Sequence, residues 1–190
     1  MALHSRHSST EFYYTGEEMS KNIWVTSDSH LFHANIMNFI DYNGNQTRPG
    51  FANVDEMNEK ILDHWNQVVK PGDKVYTLGD VVIGDHENFK KLWPKFNGSK
   101  NLIVGNHDDI KFLSAGGFFK KVTMWRMMPE FGLLLTHVPV HQSSLYRGDK
   151  ELKNCHGHIH SMDSPPGPYV NVCVEKTDYF PVNIEELRQW

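Results

Sequence analysis

Residues Ile23–His33, IWVTSDSHLFH, pass from a short strand-like run into a polar cluster that holds Asp28 and His30 two positions apart. In an extended backbone, residues i and i+2 project to the same side, so this carboxylate and imidazole can converge on one point. A carboxylate plus an imidazole with no thiolate suits Mn, Fe, Zn or a similar divalent ion. Polar residues also simply end strands, and the pair alone does not separate the two readings. Four further clusters downstream do.

From Asn53 to Val69 the apolar positions Val54, Met57, Ile61, Leu62, Trp65 and Val68 recur at helical spacing, which predicts an amphipathic helix. Pro71-Gly72-Asp73 ends it, and KVYTL (Lys74–Leu78) reads as a second strand running into Gly79-Asp80. Short helices are predicted over Ala34–Ile40 and Asp85–Trp93, separated from the rest by the turn-rich loop Asp41–Gly50. Asn101–Val104 reads as a buried strand leading into Gly105-Asn106-His107-Asp108. Phe118–Met128 and Gly132–Thr136 read as neighbouring strands, the second running into His137. A polar loop then spans His137–Lys153, followed by Gly157-His158-Ile159-His160, a strand at Tyr169–Val174 and a terminal helix at Ile184–Gln189. Strand–helix alternation followed by a strand-rich second half predicts an α/β sandwich, with helices flanking packed sheets. Residues 1–20 are polar and aperiodic, and read as a flexible leader or as sequence upstream of a start at Met19. Residues 21–190 read as one domain.

Composition narrows the function classes. The 190-residue chain is 39% hydrophobic and 22% charged, as in ordinary globular domains. A net charge of −4 disfavours a general polyanion-binding surface. No apolar run approaches the roughly 20 residues that span a bilayer. With only Cys155 and Cys173, a disulfide framework is excluded, and a reduced, cytoplasmic setting is simpler than one Cys155–Cys173 bridge. The twelve histidines are the unusual feature, because several lie beside Asp, Asn and Gly.

Each predicted strand delivers polar residues at its carboxyl end: Asp28 and His30, then Asp80, then Asn106 and His107, then His137. Ligands of open α/β sheets bind at the carboxyl ends of strands, so these side chains can share one crevice. Gly79, Gly105 and Gly157 each precede a candidate ligand by one position, where glycine permits a sharp turn or a close approach. The ordered series D-x-H, G-D, G-N-H-D, H, G-H-x-H resembles the calcineurin-like metallophosphoesterase superfamily from about Asn22 to the C-terminus. RPG at Arg48, MNEKILDHWNQVVKPGDKVYTLGD (Met57–Asp80) and NVCVEKTDYFPV (Asn171–Val182) make it most similar to small bacterial and phage-type members. Asp80 is followed by VVIG, which departs from the G-D-x-V-D-R-G pattern of serine/threonine protein phosphatases.

The resemblance implies a four-layer α/β/β/α sandwich in the cytoplasm of a bacterial or phage-infected cell. It implies two divalent ions, Mn²⁺ first, with Fe, Zn, Ni or Co as alternatives. Asp28, His30 and His160 would hold one ion, Asn106, His137 and His158 the other, and Asp80 would bridge them. His107 would be the general acid, a role that suits an imidazole. The implied reaction is attack by a metal-bound hydroxide on a phosphodiester or phosphomonoester, with a nucleotide or other small phosphoester as substrate. A nuclease is a rival within the class, and a non-catalytic scaffold of this fold is a rival outside it. His33 and Arg48 are candidate substrate contacts; a solvent-facing His33 and a loop-stabilising ion pair for Arg48 are the plainer readings. His141 and His156 read as packing or surface residues, and His4, His7, His64 and His86 as surface histidines. Trp65, Phe89, Trp93 and Trp125 read as core aromatics.

Overall fold

The structure, a computed structural model, describes residues 21–190. The leader expected at 1–20, with His4 and His7, lies outside the described residues. The first half winds as expected. β1 (Ile23–Thr26) and β2 (Lys74–Thr77) pair in parallel across the helix α1 (Val54–Val68). Asn53 caps α1 by accepting from the Glu56 N–H, and Asp55 and Glu56 place negative charge at its positive end. α2 (His86–Leu92) leads to β3 (Ser99–Ile103), and α3 (Ile110–Ala115) leads to β4 (Val122–Thr123). β3 and β4 continue the parallel order.

The second half builds another sheet. Its strands are β5 (Trp125–Met128) and β6 (Leu133–Thr136), then, beyond the hairpin β7 (Tyr146–Arg147) and β8 (Lys150–Glu151), β9 (Lys153–His156) and β10 (Tyr169–Asn171). β11 (Val182–Asn183) returns antiparallel to β1, and α4 (Ile184–Leu187) closes the chain. The orders are β11-β1-β2-β3-β4 and β10-β9-β6-β5. β6, β9 and β10 run parallel, while β5 is antiparallel to β6.

Alternation along the strands divides the core. Val75 and Leu102 face α1–α3 with Met57, Ile61, Trp65, Phe89 and Leu113. Tyr76 and Ile103 face the other way and pack between the sheets against Leu133, Leu135, Cys155 and Val170. The result is a mixed α/β sandwich with parallel and antiparallel sheets, as expected. Over the outer face of the second sheet lies a 3-10 turn (Gln142–Ser144) and the β7–β8 hairpin, which seat Leu145 and Leu152 on Leu134. This is the segment expected to be a polar loop.

Two expectations need correction. Phe118–Met128 is not one strand: β4 pairs with β3 in the first sheet and β5 with β6 in the second, with the chain crossing over at Met124. Periodicity reports strand-like backbone but not which sheet receives it. Trp125, expected in the core, is 57% exposed on that edge, whereas Trp65, Phe89 and Trp93 are buried. Cys155 and Cys173 are both buried and free.

Asp73 ties the start of β1 to the end of α1. It accepts from the Asn22 N–H (3.1 Å), the Trp24 indole (2.9 Å) and the Lys70 N–H (2.9 Å). Burial alone would raise its pKa, but these hydrogen bonds outweigh burial and lower it. A carboxyl with a lowered folded-state pKa adds stability above its unfolded pKa and loses it as pH falls through the folded value. Asp73→Ala should therefore cost about 1–3 kcal/mol near neutrality, and the gap to wild type should close below about pH 4 in urea titrations. A gap independent of pH would assign the loss to packing instead.

Candidate metal centre

The carboxyl ends of the parallel strands bring the sequence-predicted side chains into one crevice. Asp28, His30 and His160 present ligand atoms within 4.8 Å of one another, and so do Asp80, His137 and His158. Asp80 also touches the first set. Its Oδ2 lies 3.7 Å from His30 Nε2 and 3.5 Å from His137 Nε2, between the two groups. Its Oδ1 accepts from the His107 N–H at 2.9 Å, which fixes the backbone of His107 beside the crevice.

The loops that do this are locked by main-chain bonds. Asp28, His30 and Leu31 donate to the carbonyls of Gly79, Asp80 and Val81. Gly157 donates to the His137 carbonyl, and Val174 to that of Ser27, so the second sheet is stitched to the end of β1. Five of the six side chains in the two sets sit on left-handed backbone: Asp28 (φ 58°), His30 (47°), Asp80 (50°), His158 (73°) and His160 (50°). Such conformations cost roughly 1–3 kcal/mol each in non-glycine residues and persist only where surrounding structure imposes them. The glycines that precede ligands serve closeness more than turning. A methyl group at Gly157 would overlap Ser27 Oγ and Asp28 Oδ2, and one at Gly105 would overlap Asp80 Oδ1.

The donor sets fit cations. Asp28 Oδ2 accepts from Ser27 Oγ (2.5 Å), the His158 N–H (2.8 Å) and Cys173 Sγ (3.3 Å). Asp28 Oδ1 and His30 Nε2, both buried, have no hydrogen-bond partner among the described residues and face each other at 3.7 Å. His137 Nδ1 lies 2.7 Å from the Leu78 carbonyl and can only donate there. Its Nε2 faces the Asn106 amide oxygen at 2.7 Å, with His158 Nδ1 at 3.2 Å. Lone pairs that converge on one another need a positive charge between them.

Titration is tuned accordingly. Burial would raise the Asp28 carboxyl, but His30, His137 and His160 around it hold it well below the usual carboxylate range. Burial pushes the His30 and His158 imidazoles down, towards the neutral form that ligates metals. Burial acts the same way on His160, but its 2.9 Å contact with Glu175 wins and raises it.

Arg48 follows the ion-pair reading and not the substrate-contact one. Instead of reaching for a substrate phosphate, it is 1% exposed, and its guanidinium is consumed inside the protein. Nε pairs with Glu175 at 2.7 Å, Nη1 donates to the Ser29 carbonyl at 2.9 Å, and Nη2 donates to the Asp28 carbonyl. A rigid fork with five donors suits bracing two loop carbonyls better than it suits a mobile ligand. His33 is half-buried, with Nδ1 3.2 Å from His30 Nδ1, so it adjoins the first set through that ring. Burial and the neighbouring His30 bring its pKa down to about 4. His156 is buried between the Gly157 carbonyl and Ser164, and His141 caps the 3-10 turn at the surface.

Sequence reasoning missed Glu175, which joins Arg48 to His160. A charged residue directly after the apolar run VNVCV was the available signal. It also left open how Asp108 is used. Asp108 turns away from His107 and accepts from the Gly105, Asp80 and Val81 amides, latching the β3 loop to the β2 loop.

Residues 21–165 match the family described as calcineurin-like phosphoesterase. The chain is 32% identical over 174 residues to the uncharacterized protein MJ1445 of Methanocaldococcus jannaschii, spanning 87% of this chain and 88% of that one. It is 32% identical over 90 residues to the Gene 66 protein of Mycobacterium phage L5, spanning 46% of this chain and 40% of the phage protein. Among solved structures, the protein of unknown function AQ665 from Aquifex aeolicus superposes with a TM-score of 0.68 at 26% identity, over 89% of this chain and 98% of that one.

Replacing Arg48 by alanine would leave the Glu175 side chain, 2% exposed, without its cation and release two loop carbonyls. A loss of about 3–5 kcal/mol in unfolding free energy is expected, with Arg48→Lys recovering only part of it. A change below about 1 kcal/mol would remove Arg48 from the scaffold of the site.

Proposed function

The chain belongs to the calcineurin-like phosphoesterase family, whose chemistry is metal-dependent phosphoester hydrolysis, and we propose that it hydrolyses small phosphoesters at a dinuclear centre. The observation that carries this reading is the Asp80 carboxylate, whose Oδ2 lies within 3.7 Å of an imidazole from each ligand set. Asp28, His30 and His160 would hold one divalent ion, Asn106, His137 and His158 the other, and Asp80 both. Mn²⁺ is the first choice for this oxygen and nitrogen donor set, with Fe, Zn, Ni or Co as alternatives. Bound there, such ions would polarise the phosphoryl oxygens and lower the pKa of water.

The remaining roles fall to the chain itself. Ser27, Cys173 and the His158 N–H hold Asp28 Oδ2, which keeps Oδ1 directed at His30. The Leu78 carbonyl sets the His137 tautomer, Glu175 sets that of His160, and His33 steadies the His30 ring. Such partners of ligating groups orient the ring and fix which nitrogen carries the lone pair. Water adds to phosphorus, one of its protons staying on the new phosphate oxygen and the other passing to solvent, as the P–O bond to the leaving alcohol breaks. The exposed His107 side chain would supply the proton that the leaving oxygen takes up. The Asp80 Oδ1 contact with the His107 N–H supports this reading, because it ties the His107 backbone to the carboxylate that would join the two ligand sets. The neutral amide of Asn106 keeps the charge of the ligand sets low and so preserves the Lewis acidity of bound cations.

Hydrolysis of bis-p-nitrophenyl phosphate, assayed with Mn²⁺ and after chelation, tests the reading. Turnover should require metal. Asp80→Asn should lose metal and activity together. His107→Ala should keep its metal but turn over about 10²–10⁴-fold more slowly, most for poor leaving groups. Well-folded protein inactive with Mn²⁺, Ni²⁺ and Co²⁺ would sink the enzymatic reading, and normal turnover in His107→Ala would remove that residue from it.

A further inference from the structure

We propose that the cleft between the β5–β6 ladder and the Asn106–His137 side of the site is a subsite for a planar aromatic substituent of the phosphoester, about the size of a nucleobase. This deepens the phosphoesterase reading and rests on it.

The register of the ladder builds the floor of the cleft. Trp125 lies opposite Thr136 and Met127 opposite Leu134, so these four side chains share one face. The alternate positions Met128, Leu133 and Leu135 face the core between the sheets. Loop residues Val140 and Leu145 cover Leu134 at the far end. Towards the ligand sets the face stays open, as a cleft of about 450 Å³ with Met124 and Val138 at its sides. Asn106 and His137, both placed in the second ligand set, line its end towards the site.

Three large apolar side chains stand exposed here: Met124 at 65%, Trp125 at 57% and Val138 at 41%. Single exposed hydrophobics are ordinary, but a contiguous group rimming a concave site marks a ligand surface. The cleft is within the size range of small-molecule pockets, apolar with a few polar groups at one end. Its lining contains no Asp, Glu, Lys or Arg, which matches an uncharged occupant. Thr136 Oγ1 is already used, donating to the Val138 carbonyl. The other polar side chains of the lining are Ser144 and, at the ligand-set end, His137 and Asn106. Such a lining suits an occupant that is charged at the ligand-set end and largely apolar along the rest, as a phosphoryl group with an aromatic substituent is. The indole of Trp125 offers a flat face for stacking, and the thioethers of Met124 and Met127 offer polarizable contacts.

Phenylphosphonate and methylphosphonate carry the same charged head and differ only in the aromatic ring. Their dissociation constants for the Mn²⁺-loaded full chain, measured by calorimetry, need no turnover. Phenylphosphonate should bind roughly tenfold more tightly, the scale of one base–aromatic stack. In Trp125→Ala, checked for folding by its unfolding midpoint, the ratio should fall to near one. Equal affinities in wild type, binding of neither phosphonate, or a tenfold ratio that survives Trp125→Ala would each overturn the subsite. Absence of bis-p-nitrophenyl phosphate turnover with the ratio intact would instead fail the hydrolytic reading and leave the cleft assignment standing.

Discussion

The buried carboxylate of Asp28 divides its two oxygens between fastening the chain and facing the candidate metal centre. Oδ2 gathers Ser27 from the end of β1, the His158 N–H from the loop after β9, and Cys173 from the segment after β10. Those three donors come from both sheets, so the contact joins the halves of the sandwich where the site lies. Among the described residues Oδ1 is left buried and unpartnered, directed at His30. A buried anion with one oxygen unsatisfied is costly unless a cation completes it. The same atom group thus helps close the fold and creates the demand for a ligand. Gly157 is glycine because this carboxylate and Ser27 occupy the space that a side chain would need.

Around Asp28 the backbone is strained, and rigid neighbours absorb the cost. Left-handed conformations at Asp28, His30, Asp80, His158 and His160 oppose folding by several kcal/mol together. What offsets them lies on both sides: the helix-facing core around Val75 and Leu102, and the core between the sheets around Leu133 and Leu135. Arg48, Glu175 and Asp108 transmit that rigidity to the loops. Arg48 holds the Asp28 and Ser29 carbonyls, and Asp108 holds the amides of Gly105, Asp80 and Val81. None of these three needs to touch a metal or a substrate for the site to depend on it.

Sequence legibility followed the range of the interaction. Asp28 and His30 are readable as near neighbours in sequence, although they converge from left-handed backbone past β1 and not from the extended strand that their spacing suggests; α1 is readable because its apolar period is long. The position of Asp80 between the sets became meaningful only through five motifs in order, and its distances to His30 and His137 come from structure alone. Long-range partnerships left weaker traces. Glu175 meets Arg48 across 127 positions, and no local pattern announces that contact. Arg48 beside Pro49-Gly50 looks like a loop residue free to reach a phosphate, yet burial turns it inward. The crossing at Met124 was invisible for a related reason: β4 and β5 share strand chemistry but pair in different sheets. That crossing also puts Trp125 at a sheet edge rather than in the core. Among the described residues no helix is long and apolar enough to cross a membrane, in keeping with the absence of a long apolar run in the sequence.

The central claim is that two ligand sets, joined by Asp80, each complete a cation. Calorimetric titration of metal-stripped protein with Mn²⁺, followed by its unfolding midpoint at each addition, addresses this directly. Two equivalents should bind per chain, matching the two ligand groups. The midpoint should keep rising with free metal, by about 2.7 kcal/mol of added stability for each site at a hundredfold excess over its dissociation constant. Saturation at one equivalent would contradict the shared bridge, and a midpoint unmoved by metal would contradict the claim that buried, unpaired ligand atoms await a cation.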